Sequence, residues 1–264
     1  MTTIAFIGAG NIAKALMGGY LAAGSAGKVW AADPFEAQLA TVSAGIHTTT
    51  DNLQAVAEAD LIVLCVKPNM MADICLPLAP LAAGKLFISV AAGITSTSLS
   101  GWLGSKTAII RCMPNTPALI GEGMTGLFAS QNVSDEQKNL AAHLLATVGK
   151  IAWFEDESAL DAVTAVSGSG PAYFFLMLEA MQSAATHLGL APEVAKTLVE
   201  QTALGAIKMA IQSDLPVAEL RHNVTSPGGT TAAAIDVLED SGYQEIIDKA
   251  LTAAASRSKA LSKD

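Results

Sequence analysis

Basic residues are scarce in this chain. Fifteen Lys and Arg stand against 24 Asp and Glu, for a formal net charge of −9 over 264 residues. There is no basic tail or Lys/Arg cluster, and phosphate-backbone binding needs a basic patch, so a nucleic-acid partner is disfavoured. Charge of either sign is also sparse, at 15 %, while apolar residues reach 51 %, a more apolar balance than an average soluble domain has. Long apolar runs are nevertheless missing. A membrane-spanning helix needs about 20 consecutive apolar residues. The best runs, Leu61–Val66 between Asp60 and Lys67 and Ala172–Leu178 before Glu179, fall well short. No membrane partner is expected, and the surplus apolar surface belongs in a core or a subunit interface, which points to a tight oligomer. Cysteines number three, Cys65, Cys75 and Cys112, with no C-x-x-C pair. That pattern fits buried free thiols in a reducing compartment. The histidines, His47, His143, His187 and His222, have no ligand spacing, so no metal site is expected. No charged n-region or cleavage site precedes the first strand pattern, Ile4–Gly8, and a cytoplasmic location is the expectation.

What is present is a regular alternation. Thr3–Ile7, Val29–Ala32, Leu61–Val66, Leu86–Ala91 and Ala108–Cys112 are short apolar runs without polar alternation, as in strands covered on both faces. Helical stretches lie between them, Ile12–Ala23, Phe35–Ala44 and Leu53–Glu58, the last with Asp51 as a candidate N-cap. Met124–Ala129 and Ile151–Phe154 read as further strands around a Ser134–Val148 helix. The fold expected is α/β, a Rossmann-type doubly wound, mostly parallel sheet, followed by an all-α domain. Helical patterns alone fill the second half: Ala159–Val166, Ala172–Leu188, Pro192–Ser213, Thr231–Ser241 and Tyr243–Leu261. The expected division is 1–155 for the sheet domain and 156–264 for the helical domain. These helices are apolar on more than one face, which again points to a subunit interface.

The first strand runs into Gly8-Ala9-Gly10-Asn11-Ile12-Ala13, a G-x-G-x-x-A turn that opens a helix. Gly8 suits the tight turn, Gly10 lets backbone approach a pyrophosphate, and Ala13 allows close helix–strand packing. Ile7 through Ile12 are therefore cofactor-lining candidates. An acid, Asp33, closes the second strand at the fingerprint's distance. A carboxylate there accepts from a ribose hydroxyl and repels a 2′-phosphate, and no Lys or Arg occurs between Val29 and Val66. NADH is favoured over NADPH on this ground, although Asp33 also suits a cap ahead of Phe35. Pro34 and Asn52 complete that end of the site. Two more strand exits, Val66-Lys67-Pro68 and Ala91-Ala92-Gly93, face the same sheet edge, where ligands of such folds bind. Lys67 offers its charge or its backbone, or is a solvated strand-end lysine. Arg111-Cys-Met-Pro-Asn115-Thr-Pro117 reads as a rigid loop over the nicotinamide end, with Asn115 in the lining set; Arg111 also fits a structural ion pair.

Two stretches of the helical half stand out. Ser167-Gly168-Ser169-Gly170-Pro171 opens a long apolar helix, with Pro171 suited to its first turn. Thr225-Ser226-Pro227-Gly228-Gly229-Thr230-Thr231 leads a flexible turn into another helix, whose free N–H groups form an anion site. A small carboxylate fits there, each charge-assisted bond contributing roughly 1.5–3 kcal/mol. Both stretches also read as plain helix caps.

Taken together, FIGAGNIA, VKPN, SVAAGI, RCMPNTPA, DAVTAVSGSGPAYF and TSPGGTT resemble, in order and spacing, the pyrroline-5-carboxylate reductase family over essentially the whole chain. The resemblance implies a Rossmann domain and a helical dimerisation domain, often in rings of dimers. It implies reduction of 1-pyrroline-5-carboxylate to L-proline by NAD(P)H, the last step of proline synthesis. It places substrate between the nicotinamide and the Ser226–Thr231 turn of a partner subunit. Gly228, Gly229 and Thr230 would hold its carboxylate and Thr231, with Ser226, would stand at the ring nitrogen. Ser169 and Gly170 join the substrate set, and Glu157 and Asp214 match positions at the substrate entrance. The acidic Asp33-Pro34-Phe35-Glu36 departs from relatives that favour NADPH. Among rivals, the β-hydroxyacid dehydrogenases place a catalytic lysine on the helix after their Gly/Ser stretch, and Ala172–Leu188 contains none. A cofactor sensor without turnover would not need the SPGGTT turn. A six-membered cyclic imine remains open, since one methylene is worth only about 1–3 kcal/mol.

Overall fold

The computed structural model describes residues 2–25 and 27–261. The chain divides into two compact units, one running to Pro171 and taking in the end of the last helix from Thr252, the other covering Ala172–Leu251.

The first unit runs β1 (Ile4–Ile7), α1 (Asn11–Ala22), β2 (Val29–Ala32), α2 (Glu36–Leu39), β3 (His47–Thr49), α3 (Asn52–Ala57), β4 (Leu61–Leu64), α4 (Met71–Leu78), β5 (Leu86–Ser89), α5 (Ser96–Leu103) and β6 (Ala108–Met113). Then come β7 (Gly123–Ala129), α6 (Asp135–Ala146), β8 (Gly149–Phe154), α7 (Ala159–Val163) and the start of α8 (Gly170–His187). The strands form one sheet in the order β3-β2-β1-β4-β5-β6-β7-β8. All neighbours pair parallel except β6 and β7. The absence of polar alternation has a direct cause. Ile4 and Phe6 of β1 enter the cluster that includes α1 and α6, and Ala5 and Ile7 enter the one that includes α3, α4 and α5. Both faces are dry, so successive residues are equally apolar.

Three local readings change. The helix expected over Phe35–Ala44 stops at Leu39. There the Thr41 hydroxyl donates to the Gln38 carbonyl at 2.6 Å, a local bond that competes with the helix ladder. Strand β3, too short and polar to show a pattern, forms by pairing on β2, with His47 stacked on Trp30 at 5.0 Å. The third change lies at Ser167–Gly170. No loop breaks the helix there; α7 runs on through a π-helical stretch, Thr164–Gly168, into α8.

The second unit holds most of α8, then α9 (Pro192–Gln212), α10 (Val217–Asn223), α11 (Thr230–Asp240) and the beginning of α12 (Tyr243–Leu261). Pro192 opens α9 as expected at a first turn. Few of its side chains are buried: on α9 only Ala195 and Val199. Phe174, Phe175 and Leu176 stand 57–66 % exposed. Helices apolar on several faces need a covering surface. No helix among the described residues is long and apolar enough to cross a membrane.

Candidate active site

Strand order reverses around β1, with β2 on one side and β4 on the other, the position where such sheets open a crevice for ligands. The turn leaving β1 is built for it. Gly8 has φ +95°, and a Cβ there would lie 2.7 Å from the Cys65 carbonyl oxygen, so neither the backbone nor the space admits a larger residue. Its N–H donates to the Ala32 carbonyl at 2.7 Å. Gly10 is the N-cap of α1 and makes no side-chain cap; no acid occupies the first turn. Nothing lies within 4 Å of a Cβ built on Gly10. The start of α1 thus presents N–H groups to an open space, as an anion such as pyrophosphate requires.

Asp33 ends β2 with 8 % exposure. One carboxylate oxygen accepts the Ala9 N–H and the other the Phe35 N–H, both at 2.9 Å. The acid of the fingerprint therefore braces the glycine turn and caps the chain before α2. Pro34, next to it, is exposed. At the following helix the Asp51 carboxylate accepts from the Leu53 N–H, and Asn52 is the first residue of α3.

The next exits lie on the same edge. Cys65 donates its N–H to the Ile7 carbonyl, Val66 is half-buried, and Lys67 and Pro68 are exposed at the start of a 3-10 turn. Past β5, Ala91 is buried and Gly93 turns with φ +76°. A Cβ on Gly93 would meet the backbone of Leu261 at 2.9 Å, so the end of α12 lies on this exit. Three residues on, Ser96 opens α5 and donates its N–H and its hydroxyl to the two oxygens of Glu157, each at 2.6 Å. Arg111 of β6, 6 % exposed, completes the cluster at 2.7 Å from Glu157. Burial alone would raise the Glu157 pKa; the Ser96 and Arg111 contacts outweigh it and hold the carboxyl below its ordinary range. Sequence reading allowed Arg111 a structural pair but left Glu157 at the substrate entrance; the structure joins the two and commits both Glu157 oxygens.

Asn115, at the exit of β6, uses both ends of its amide. Its NH2 donates to the Ser167 carbonyl at 3.0 Å and its oxygen accepts the Met124 N–H at 2.9 Å. The π-helical stretch explains the first bond, because Ser169 donates its N–H five residues back to Thr164 and shifts the local ladder. A Cβ on Gly168 would sit 3.2 Å from the Met113 side chain, so glycine here allows helix and strand exit to meet. Ser169 is half-buried and Gly170 buried.

In the second unit Ser226, Gly228, Thr230 and Thr231 are exposed and Gly229 half-buried. Gly228 has φ +70°, and the Gly229 N–H closes the turn onto the Ser226 carbonyl at 3.0 Å. Gly229 is the extended N-cap of the 11-residue α11, with no acid in the first turn, so its leading N–H groups face solvent with Thr230 and Thr231 at the first two helical positions. Asp214 is exposed on the turn between α9 and α10.

Burial pushes the Cys75 and Cys112 thiols up to about 12, and Cys65 up as well, so no cysteine is poised as a nucleophile. A cavity of about 770 Å³ lies between α6 and the end of β8 around Asp135, Lys138 and Trp153. That is the opposite edge of the sheet from the glycine turn, since β7 is antiparallel to β6. Sequence reading missed one further contact. Lys14 of α1 donates to the Gln38 side chain of α2 at 3.0 Å. Its signal in the sequence is a lysine directly after the G-x-G-x-x-A turn, outside the Val29–Val66 stretch that lacks Lys and Arg.

Comparison with known proteins accounts for both halves. Residues 3–93 match the family described as NADP oxidoreductase, coenzyme F420-dependent, and residues 157–261 match pyrroline-5-carboxylate reductase dimerisation. A pyrroline-5-carboxylate reductase from Pseudomonas aeruginosa is 49 % identical, over 98 % of this chain and 96 % of the relative. One from Pisum sativum is 39 % identical over 98 % and 96 %. The structure of the Coxiella burnetii enzyme superposes with TM-score 0.94 at 43 % identity, covering 100 % of this chain and 99 % of that one. That of the Plasmodium falciparum enzyme with NADP bound gives 0.89 at 31 % identity, covering 99 % and 98 %. With a full-length relative at this identity and the same two-part architecture, the chain belongs to the pyrroline-5-carboxylate reductase family.

Proposed function

We propose that the nicotinamide dinucleotide lies along the β1–β5 edge, with its pyrophosphate at the Gly8–Gly10 turn, and that the substrate carboxylate is held at the start of the partner subunit's α11. The reaction is reduction of 1-pyrroline-5-carboxylate to L-proline. The reduced nicotinamide, when bound, would supply the hydride that turns the C=N bond into C–N, and the ring nitrogen would keep the proton that made the imine electrophilic. Because a protonated imine needs little activation, alignment is the main demand, and orientation supplies roughly 7–11 kcal/mol of such barriers. This accounts for a site without a His or Lys centre.

Each residue then has a part. Gly228 and Thr230 offer backbone N–H groups to the carboxylate on either side of Gly229, whose own N–H closes the turn onto the Ser226 carbonyl, and the Thr231 hydroxyl, with Ser226, faces the ring nitrogen. Ser169 and Gly170 border the substrate, and Asp214 has an exposed carboxylate for the entrance. Glu157, engaged by Ser96 and Arg111, holds the β5 exit in place on the side of the substrate entrance. Ile7 to Ile12, Asp33, Pro34, Asn52, Val66 to Pro68, Ala91 to Gly93 and Asn115 form the cofactor side, with Asp33 and Asn115 acting through the backbone that they brace. The functional division is 1–155 for cofactor and 156–264 for substrate and dimerisation. The helical domain pairs with a second copy, and we extend this to a larger ring of dimers, located in the cytoplasm and without a nucleic-acid partner.

The observation that carries the reading is the open, glycine-capped start of α1 at the strand-order switch. The experiment is loss of reduced-nicotinamide absorbance with pyrroline-5-carboxylate, run with NADH and with NADPH. Rapid oxidation is expected; a folded oligomer that binds cofactor yet oxidises neither would overturn it.

A further inference from the structure

The exit of β2 poses a problem of cofactor choice. The segment Asp33–Glu36 carries two acids, and the sequence has no Lys or Arg from Val29 to Val66. A 2′-phosphate arriving there would meet negative charge only.

The structure alters both sides of that balance. Asp33 is turned inward. Its exposure is 8 %, and its two oxygens face the Ala9 and Phe35 N–H dipoles. Its charge is offset within the fold, and its geometry is set by the glycine turn. Meanwhile a cation arrives from another element. Lys14 sits one helical turn beyond Gly10 on α1, and its ammonium lies 3.0 Å from the Gln38 oxygen on α2. Helix α2 begins three residues after Asp33, beside the place where folds of this kind carry the adenosine ribose and its 2′ substituent. An ammonium has three protons to donate. Gln38 takes one, and no other acceptor is present among the described residues. The neutral Gln38 amide fixes where the ammonium stands without cancelling its charge, which an acid at that position would do. Glu36, exposed in the first turn of α2, is the opposing charge that Lys14 must outweigh.

We propose that Lys14, braced by Gln38, receives the 2′-phosphate of NADPH, so that cofactor choice in this chain is set from α1 and not by Asp33. The inference rests on the Gly8–Gly10 turn being the dinucleotide site. It reverses the preference for NADH that the acidic β2 exit implies on sequence alone.

The test is a pair of dissociation constants, for NADPH and NADH, from nicotinamide fluorescence on the full oligomeric protein. Lys14→Gln keeps the helix propensity and removes the charge. It is expected to weaken NADPH roughly 10-fold, the scale of a lost charge-assisted contact, with NADH within about twofold. Lys14→Arg should retain NADPH. Asp33→Asn should weaken both cofactors together, because it loosens the turn that both use. Equal effects of Lys14→Gln on the two cofactors, or none, would overturn the proposal. So would an Asp33→Asn variant that gains NADPH selectively. If the unaltered protein bound neither cofactor, the dinucleotide reading itself would fall, a result distinct from these.

Discussion

Replacing Glu157 by Ala leaves the Arg111 guanidinium inside the protein without its countercharge. Arg111 is 6 % exposed, and its Nε has no partner among the described residues, so the 2.7 Å contact to Glu157 is its main compensation. Removing one member of a buried pair costs about 3–5 kcal/mol. The Glu157 side chain is 23 % exposed, so water reaches the vacated side, and a loss of about 2–3 kcal/mol is expected. For a chain of this size that corresponds to a Tm lower by roughly 5–10 °C. Circular dichroism melts at one protomer concentration measure it, because an oligomer's Tm depends on concentration. The pH dependence has a definite sign. The Glu157 pKa is depressed, so its stabilisation is complete above the ordinary value of 4.5 and is lost as pH falls through the lower folded value. The gap between the unaltered protein and Glu157→Ala should therefore be wide at neutral pH and close in acid. A second variant isolates the cause: Glu157→Ala with Arg111→Met removes the orphaned charge and should recover much of the loss. A gap that stays constant into acid, or a double variant no more stable than the single, would refute the reasoning.

Three further outcomes are expected. Thr231→Ala should lower kcat roughly 10–100-fold and leave both cofactor dissociation constants unchanged; a matching fall in NADH affinity would move Thr231 to the cofactor side. Gly8→Ala forces a side chain onto the Cys65 carbonyl at 2.7 Å with φ +95°; fluorescence titration should show cofactor binding lost, and binding at normal strength would mean that the turn is not the site. Phe175→Glu on α8, where the native ring is 63 % exposed, should shift sedimentation toward smaller species, and an unchanged profile would place the subunit interface elsewhere on the helical unit.

The sheet was legible because its physics is uniform. Strands β1, β4 and β5 are fully buried, so they appear as uninterrupted apolar runs bounded by turn residues. The elements that escaped are those fixed by neighbours. Strand β3 has three polar or β-branched residues and exists through its pairing to β2. Helix α2 ends early through one threonine hydroxyl. The π-helical stretch at Thr164–Gly168 reads as a Gly/Ser cap in sequence; it is helical because Asn115, 52 positions away, satisfies the Ser167 carbonyl and because Gly168 admits Met113.

The same division runs through the site. Gly8 and Gly228 announce themselves, since both have positive φ and Gly8 in addition lies against the Cys65 carbonyl, which leaves few alternatives to glycine. The carboxylates do not, because a carboxylate is defined by its donors, and these come from afar: Ala9, 24 positions from Asp33, and Ser96 and Arg111, 61 and 46 positions from Glu157. This has a consequence for how a chain of net charge −9 holds two anions. At the starts of α1 and α11 the positive potential is backbone N–H, fixed by the fold and independent of the acidic composition. At the exit of β2 the N–H groups of Ala9 and Phe35 are already taken by Asp33, and the four-residue α2 carries an acid, Glu36, in its first turn. A third negative group there calls for a side-chain cation. Pyrophosphate and carboxylate recognition should therefore survive single surface substitutions, whereas the choice between NADH and NADPH should turn on one lysine.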